Sequence, residues 1–220
     1  MSRLKSIHAK FLESCRTLES GRGYWDNAGP VRKWFAQLVT PVPLLALDDD
    51  GKPLYEALLW LEANCRAKDL GEELVRHYHR MLRPKSPEPP GEYRKGSMVV
   101  KDSTLPCPPG PKVPMLMRQL DATLREEQAR LDGLSPAPPD DVLRTSVTLH
   151  YRLVSIHPFT DGNGRVARLL MNHLLRRHNQ PYVILPPLSA SPEHRAALEE
   201  ANAGRLDPLM TLAKKHCHPV

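Results

Sequence analysis

The run from His157 to Arg168 reads His-Pro-Phe-Thr-Asp-Gly-Asn-Gly-Arg-Val-Ala-Arg, and it constrains the fold more than any other stretch of the chain. Before it, Val142, Ser146, Leu149 and Leu153 recur at three- and four-residue steps. That spacing predicts a helix over 140–156 that delivers His157 at its end. After it, Val166, Leu169, Leu170, Leu174 and Leu175 repeat the period, so a second, buried helix begins near Asn163. The two helices must meet across the Gly-Asn-Gly turn. The first N–H groups of the second helix have no intrahelical partner and point back into that turn. Such a turn before a helix is a place for phosphates.

The side chains agree with that reading. Gly162 and Gly164 carry no Cβ, so an anion can approach the backbone closely. Arg165 and Arg168 are i, i+3 neighbours, and the planar guanidinium suits phosphate oxygens. Asp161 is the only carboxylate of the run. Beside phosphates it serves best as a Mg²⁺ ligand, because Mg²⁺ takes one or two carboxylates together with phosphate oxygens and water. His157, four residues earlier, is placed to take a proton from an incoming hydroxyl. Singly, these pieces have plainer readings: a packed aromatic turn, a simple glycine turn, a solvated helix face. Those readings leave their order unexplained. Together they point to chemistry on the phosphate chain of a nucleotide.

The run resembles the Fic (filamentation induced by cAMP) motif, His-x-Phe-x-Asp/Glu-Gly-Asn-Gly-Arg-x-x-Arg, at every defined position. The resemblance extends to Gly91-Glu92-Tyr93-Arg94, Met98-Val99-Val100 and the proline-rich stretch from Pro106 to Pro114, which look like the Fic flap. It extends also to residues 197–209, which look like the closing helices of the family, and in all it covers roughly residues 54 to 215. It implies an all-α, Fic-type helical bundle with a short β-hairpin flap beside the active site. The chain then divides into an N-terminal helical extension, 1–53, and a Fic domain, 54–220, with the flap at about 91–112 and the motif at 157–168.

The resemblance also implies a reaction: transfer of AMP from ATP to a Ser, Thr or Tyr hydroxyl of a target protein, with release of pyrophosphate. His157 becomes the base that deprotonates the hydroxyl, and Asp161 holds Mg²⁺ against the α- and β-phosphates. Gly162, Asn163 and Gly164 form the anion hole. Arg165 holds phosphate and braces the loop, Arg168 reaches the γ-phosphate, and Phe159 points into the core. Asn202 sits where several family members contact adenine; equally, it reads as a helix-end residue before Gly204. One branch of the family carries lysine at the position of Gly164 and phosphorylates instead, so glycine here favours nucleotidyl transfer. Other chemistries of the same fold are transfer of UMP or GMP and removal of AMP. A non-catalytic nucleotide-binding module has no need of His157.

Many relatives carry an inhibitory helix, Ser/Thr-x-x-x-Glu-Gly/Asn, whose glutamate pairs with the second motif arginine. Here Thr123 to Glu127 is followed by Gln128, and Ser189 to Glu193 by His194, so neither run completes it. A separate antitoxin supplying the glutamate, as in a toxin pair, or restraint by residues 1–53, is the expectation.

Composition fits. A chain of 220 residues holds one core and a small extension. Its net charge of +6 suits an anionic cofactor, while no Lys/Arg run is dense enough for nucleic acid. Aromatic residues make up 5%, too few for a base-stacking platform. Cys15, Cys65, Cys107 and Cys217 lack the spacing of a disulfide framework or of a CxxC site and read as reduced thiols. His216-Cys217-His218 are adjacent and cannot build a tetrahedral metal cage alone. Asp48-Asp49-Asp50-Gly51 lacks the rest of a calcium loop and reads as a turn. With no apolar leader and no membrane-length apolar run, the expectation is a cytoplasmic protein, or an effector injected by a dedicated secretion system.

Helices are also expected over 5–18, 30–39, 53–66, 70–82, 113–131, 193–203 and 206–216. Residues 41–53 read as loop, 84–90 as an extended connector, and 182–185 as a buried, strand-like linker.

Overall fold

The computed structural model describes residues 51–99, 107–186, 188 and 191–218. The expected helices over 5–18 and 30–39 lie outside the described residues. Helices α1 (Gly51–Asn64), α2 (Glu72–Leu82), α3 (Val113–Asp132), α4 (Pro139–Ile156), α5 (Asn163–Arg177), α6 (Pro192–Asn202) and α7 (Asp207–Lys215) make up the body. The architecture is all-α, as expected. Helix α1 begins at Gly51, so the last residues of the stretch read as loop are already helical.

Helix α5 is the central element. It is buried nearly all round, from Asn163 to Leu175, which a helix survives only when neighbours cover every face. Its main neighbour is α4, with α1 and α2 on another side. Helix α4 presents the stripe Val142, Ser146, Leu149 and Leu153 to the core. Helix α3 opens with Pro114 in its first turn and buries Val113, Met117, Leu120, Leu124 and Leu131, a run of three- and four-residue steps. Gln128 shares that face: its carbonyl accepts from the Leu70 N–H at 2.6 Å and its amide donates to Asp69. In this way α3 holds the loop ahead of α2.

Helix α1 belongs to the same core, with Leu54, Leu58 and Leu61 buried. Glu62 on α1 accepts from Arg176 on α5 at 2.8 Å and from the Tyr182 hydroxyl. Strand β1 (Tyr182–Val183) pairs antiparallel with β2 (Cys217–His218), Tyr182 opposite His218. On the other edge of β1, the Asn172 side chain accepts from the Val183 N–H and donates to its carbonyl, both at 2.9 Å. The strand-like reading of 182–185 therefore holds for its first two residues. Among the described residues these are the strands. Described flap residues 91–99 and 107–112 form no ladder, apart from a 3-10 turn at Gly110–Lys112. No described helix is long and apolar enough to cross a membrane.

Candidate active site

His157 caps α4 in a left-handed conformation, φ 51° and ψ 60°. For a residue with a Cβ that conformation costs roughly 1–2 kcal/mol, so the turn must be held from outside. Its N–H closes the helix onto the Leu153 carbonyl at 2.9 Å. Its Nδ1–H donates to the Val154 carbonyl at 3.3 Å. That bond fixes the tautomer and leaves Nε2 as a bare lone pair. Burial, chiefly, and the nearby Arg94 cation hold the imidazole below its ordinary pKa. The ring is therefore neutral near pH 7, the state a base requires.

The turn after His157 is braced by its own side chains. The Asn163 carbonyl oxygen accepts from the Phe159 N–H at 2.9 Å, and its amide donates to the Phe159 carbonyl at 2.7 Å. Asn163 thus spends its side chain on the loop, and what it offers an anion is its backbone N–H. Gly162 has φ +82°, and a Cβ there would meet the His79 ring at 3.4 Å. No side chain caps the start of α5, so its first N–H groups face the turn as an anion site requires. Asp161 accepts from Arg165 at 3.0 Å; the carboxylate is 48% exposed and the arginine 16%. Arg168 is buried, and burial together with Arg165 pulls its pKa down to about 10. A Cβ on Gly164 would stand 3.7 Å from its guanidinium. His157, Asp161, Gly162, Asn163, Gly164, Arg165 and Arg168 thus fall on one turn and the first turns of α5.

Residues 69–175 match the model of the Fic/DOC family. The chain carries a Fic/DOC-family domain. It is 35% identical over 140 residues to the protein adenylyltransferase Fic of Drosophila mojavensis, covering 63% of this chain and 26% of that protein. It is 46% identical over 76 residues to the protein adenylyltransferase fic-1 of Caenorhabditis elegans, covering 34% of this chain and 15% of that protein. The chain thus spans about a quarter or less of the length of these curated relatives. A solved structure of Fic-1 from C. elegans superposes with a TM-score of 0.63 at 25% identity, covering 97% of this chain and 68% of that one.

Two residues outside the 157–168 run, His79 and Arg94, also bond to the motif turn. His79 on α2 donates from Nε2–H to the Asp161 carbonyl at 3.1 Å and accepts the Gly91 N–H on Nδ1 at 2.7 Å. Its ring stacks on Phe159, centroids 3.7 Å apart and planes 5° from parallel. Burial brings its pKa down to about 4. One neutral tautomer satisfies both bonds and ties α2, the flap base and the motif together. A signal was present: Val75, Tyr78, His79 and Leu82 form one buried stripe, and a polar ring in an apolar stripe needs partners. Arg94 is the second residue, buried at the base of the flap stretch. Tyr93 beside it is clamped between Arg76, 3.9 Å from its ring centroid, and Phe159.

Asn202 belongs to α6, outside the 157–168 run. It is the last residue of α6, exposed, and accepts from the Tyr151 hydroxyl at 3.3 Å. Gly204 follows at φ +85°, the geometry of an ordinary helix end.

Proposed function

We propose that this chain transfers the AMP moiety of ATP to a hydroxyl of a target protein. The observation that carries the reading is the tautomer of His157. With Nδ1–H committed to Val154, Nε2 is left as an acceptor on the residue that opens the motif turn, ahead of uncapped helix N–H groups and two arginines. A hydroxyl proton passes to Nε2, the hydroxyl oxygen bonds to the α-phosphorus, and the bond from that phosphorus to the bridging β-oxygen breaks. Pyrophosphate leaves with the electron pair. The N–H groups at the start of α5, with Arg165 and Arg168, offset the charge on the phosphates. The relatives named protein adenylyltransferase support this class of reaction.

Asp161 fits Mg²⁺. It is a half-exposed hard-oxygen donor beside the proposed phosphate site, and no cluster of three or more His, Cys, Asp or Glu gathers among the described residues. One protein carboxylate with phosphate oxygens and water is the usual Mg²⁺ arrangement. When bound, the ion neutralises phosphate charge. Restraint falls to a second chain bringing a carboxylate toward Arg168, or to residues 1–53.

Incubation with α-labelled and γ-labelled ATP and Mg²⁺ tests the reaction. Label retained on protein from the α position alone is the expected result. Retention from the γ position alone makes the enzyme a kinase and overturns the reading.

A further inference from the structure

Arg94 joins the flap to the turn that carries the base. Its Nε–H donates to the His157 carbonyl at 2.7 Å, and one Nη2 donor reaches the Ile156 carbonyl at 3.4 Å. These are the last carbonyls at the C-terminal end of α4, where a helix favours a cation. The rest of the fork faces the flap: Nη1 donates to the Gly96 carbonyl and Nη2 to the Pro108 carbonyl, both at 2.7 Å. Gly96 lies on the outgoing leg and Pro108 on the returning one. The Arg94 backbone N–H adds a bond to the Pro158 carbonyl at 2.9 Å. One planar cation, 3% exposed, thus binds carbonyls on three separate backbone segments.

We infer that Arg94 is a positioning residue that couples the flap to His157, so that an acceptor backbone ordering the flap also sets the base. This rests on the reading of His157 as the base. The left-handed turn at His157 persists only while its surroundings fix it, and Arg94 bonds the carbonyls of Ile156, His157 and Pro158 around it. The same guanidinium closes the two flap legs. Displacement of either leg therefore reaches the His157 backbone through a single rigid group. Lysine cannot substitute, because an ammonium has three donors on a flexible stem and no planar fork.

The test compares wild type, Arg94→Lys and Arg94→Ala in the full chain by two readouts. One is label transfer from α-labelled ATP at saturating nucleotide, set beside the affinity for a fluorescent ATP analogue with Mg²⁺. The other is the tautomer of His157 in ¹⁵N-histidine-labelled protein, assigned with His157→Ala. Wild type shows Nδ1 protonated. Arg94→Lys is expected to mix the two tautomers and to lower transfer about tenfold or more, while nucleotide affinity stays within about twofold. Transfer within about twofold of wild type with an unchanged tautomer overturns the proposal. So does a loss of nucleotide affinity in proportion to the loss of transfer, which marks a merely structural role. If wild type transfers no label but Arg94→Lys still mixes the tautomers, the coupling stands and the nucleotidyl-transfer reading fails. Arg94→Lys keeps the charge and most of the volume, so it answers the question even where Arg94→Ala fails to fold.

Discussion

In the motif turn, side chains are spent on backbone. Asn163 brackets Phe159, His79 holds the Asp161 carbonyl, and the His157 ring is tied to Val154. The described flap is tied at its base, through Gly91, Arg94, Gly96 and Pro108, while Val99 further out is 88% exposed. The first plan fixes donors and lone pairs before any ligand arrives, which lowers the cost of reaching a transition state. The second leaves backbone available to a partner, as strand addition requires. The difference separates what the domain does from what it does it to.

The comparison breaks most severely at His157. His157→Ala removes the base and leaves Gly162, Gly164, Arg165 and Arg168 in place. Transfer from α-labelled ATP should fall roughly 10²–10⁴-fold, with nucleotide affinity nearly unchanged. A variant that transfers at the wild-type rate would show that the proton leaves by another route.

Gly110 probes the joint between the two regions. A Cβ there would lie 2.0 Å from the Lys95 carbonyl oxygen and 2.4 Å from its carbon. The flap legs cross backbone to backbone, and no side-chain rotation relieves the overlap. Gly110→Ala must part the legs that Arg94 gathers. Because an ångström of misplacement costs up to about 10²-fold in rate, transfer should fall by at least tenfold. A steady-state assay beside nucleotide binding measures it; full activity would mean that the crossing does not matter to the base.

The two regions also differ in how much of them the sequence exposes. The motif is contiguous, and its period fixes two helices and the turn between them, so the positions of His157 and Asp161 follow from local rules. Helix α1 was legible from Leu54, Leu58 and Leu61. His79 lies some eighty residues before the motif, and no local rule pairs it with Asp161; only the polar ring in the stripe of Val75, Tyr78 and Leu82 hints at it. Arg94 sat within a segment already compared with the flap, yet its carbonyl partners come from three places in the chain. Carbonyls leave no mark in a sequence, and neither does a crossing such as that of Gly110 and Lys95. The strand pair of Tyr182–Val183 with Cys217–His218 was half visible, because its second strand is too short to carry a pattern.

The buried histidines of the helical body predict acid lability. His79, His173 and His194 are held by burial at about pH 4, against about 6.5 in an unfolded chain. Between those values the unfolded chain binds more protons than the folded one, so stability rises with pH. The contribution is complete above about pH 6.5 and is lost as the pH falls toward 4. Melting temperature should drop by several degrees from pH 7 to pH 5, given about 2–4 °C per kcal/mol for a chain of this size. His79→Phe keeps the stack on Phe159, removes one of these groups, and should flatten the decline at the expense of the Gly91 and Asp161 bonds. An unchanged slope would place the acid sensitivity elsewhere.

The smallest effect is expected at Val99. If the flap engages an acceptor by its backbone, the exposed Val99 side chain matters little and its N–H matters more. Val99→Ser should change acceptor labelling by less than about twofold, whereas Val99→Pro, which has no N–H and a fixed φ, should lower it a few-fold. Nucleotide affinity should be the same in both, because Val99 lies outside the motif turn. Labelling of proteins in a cell lysate with α-labelled ATP, scored band by band, reads the difference. The reverse order, with serine harmful and proline harmless, would mean that the flap selects its acceptor by apolar contact, and the open region would then be a side-chain surface rather than a strand template.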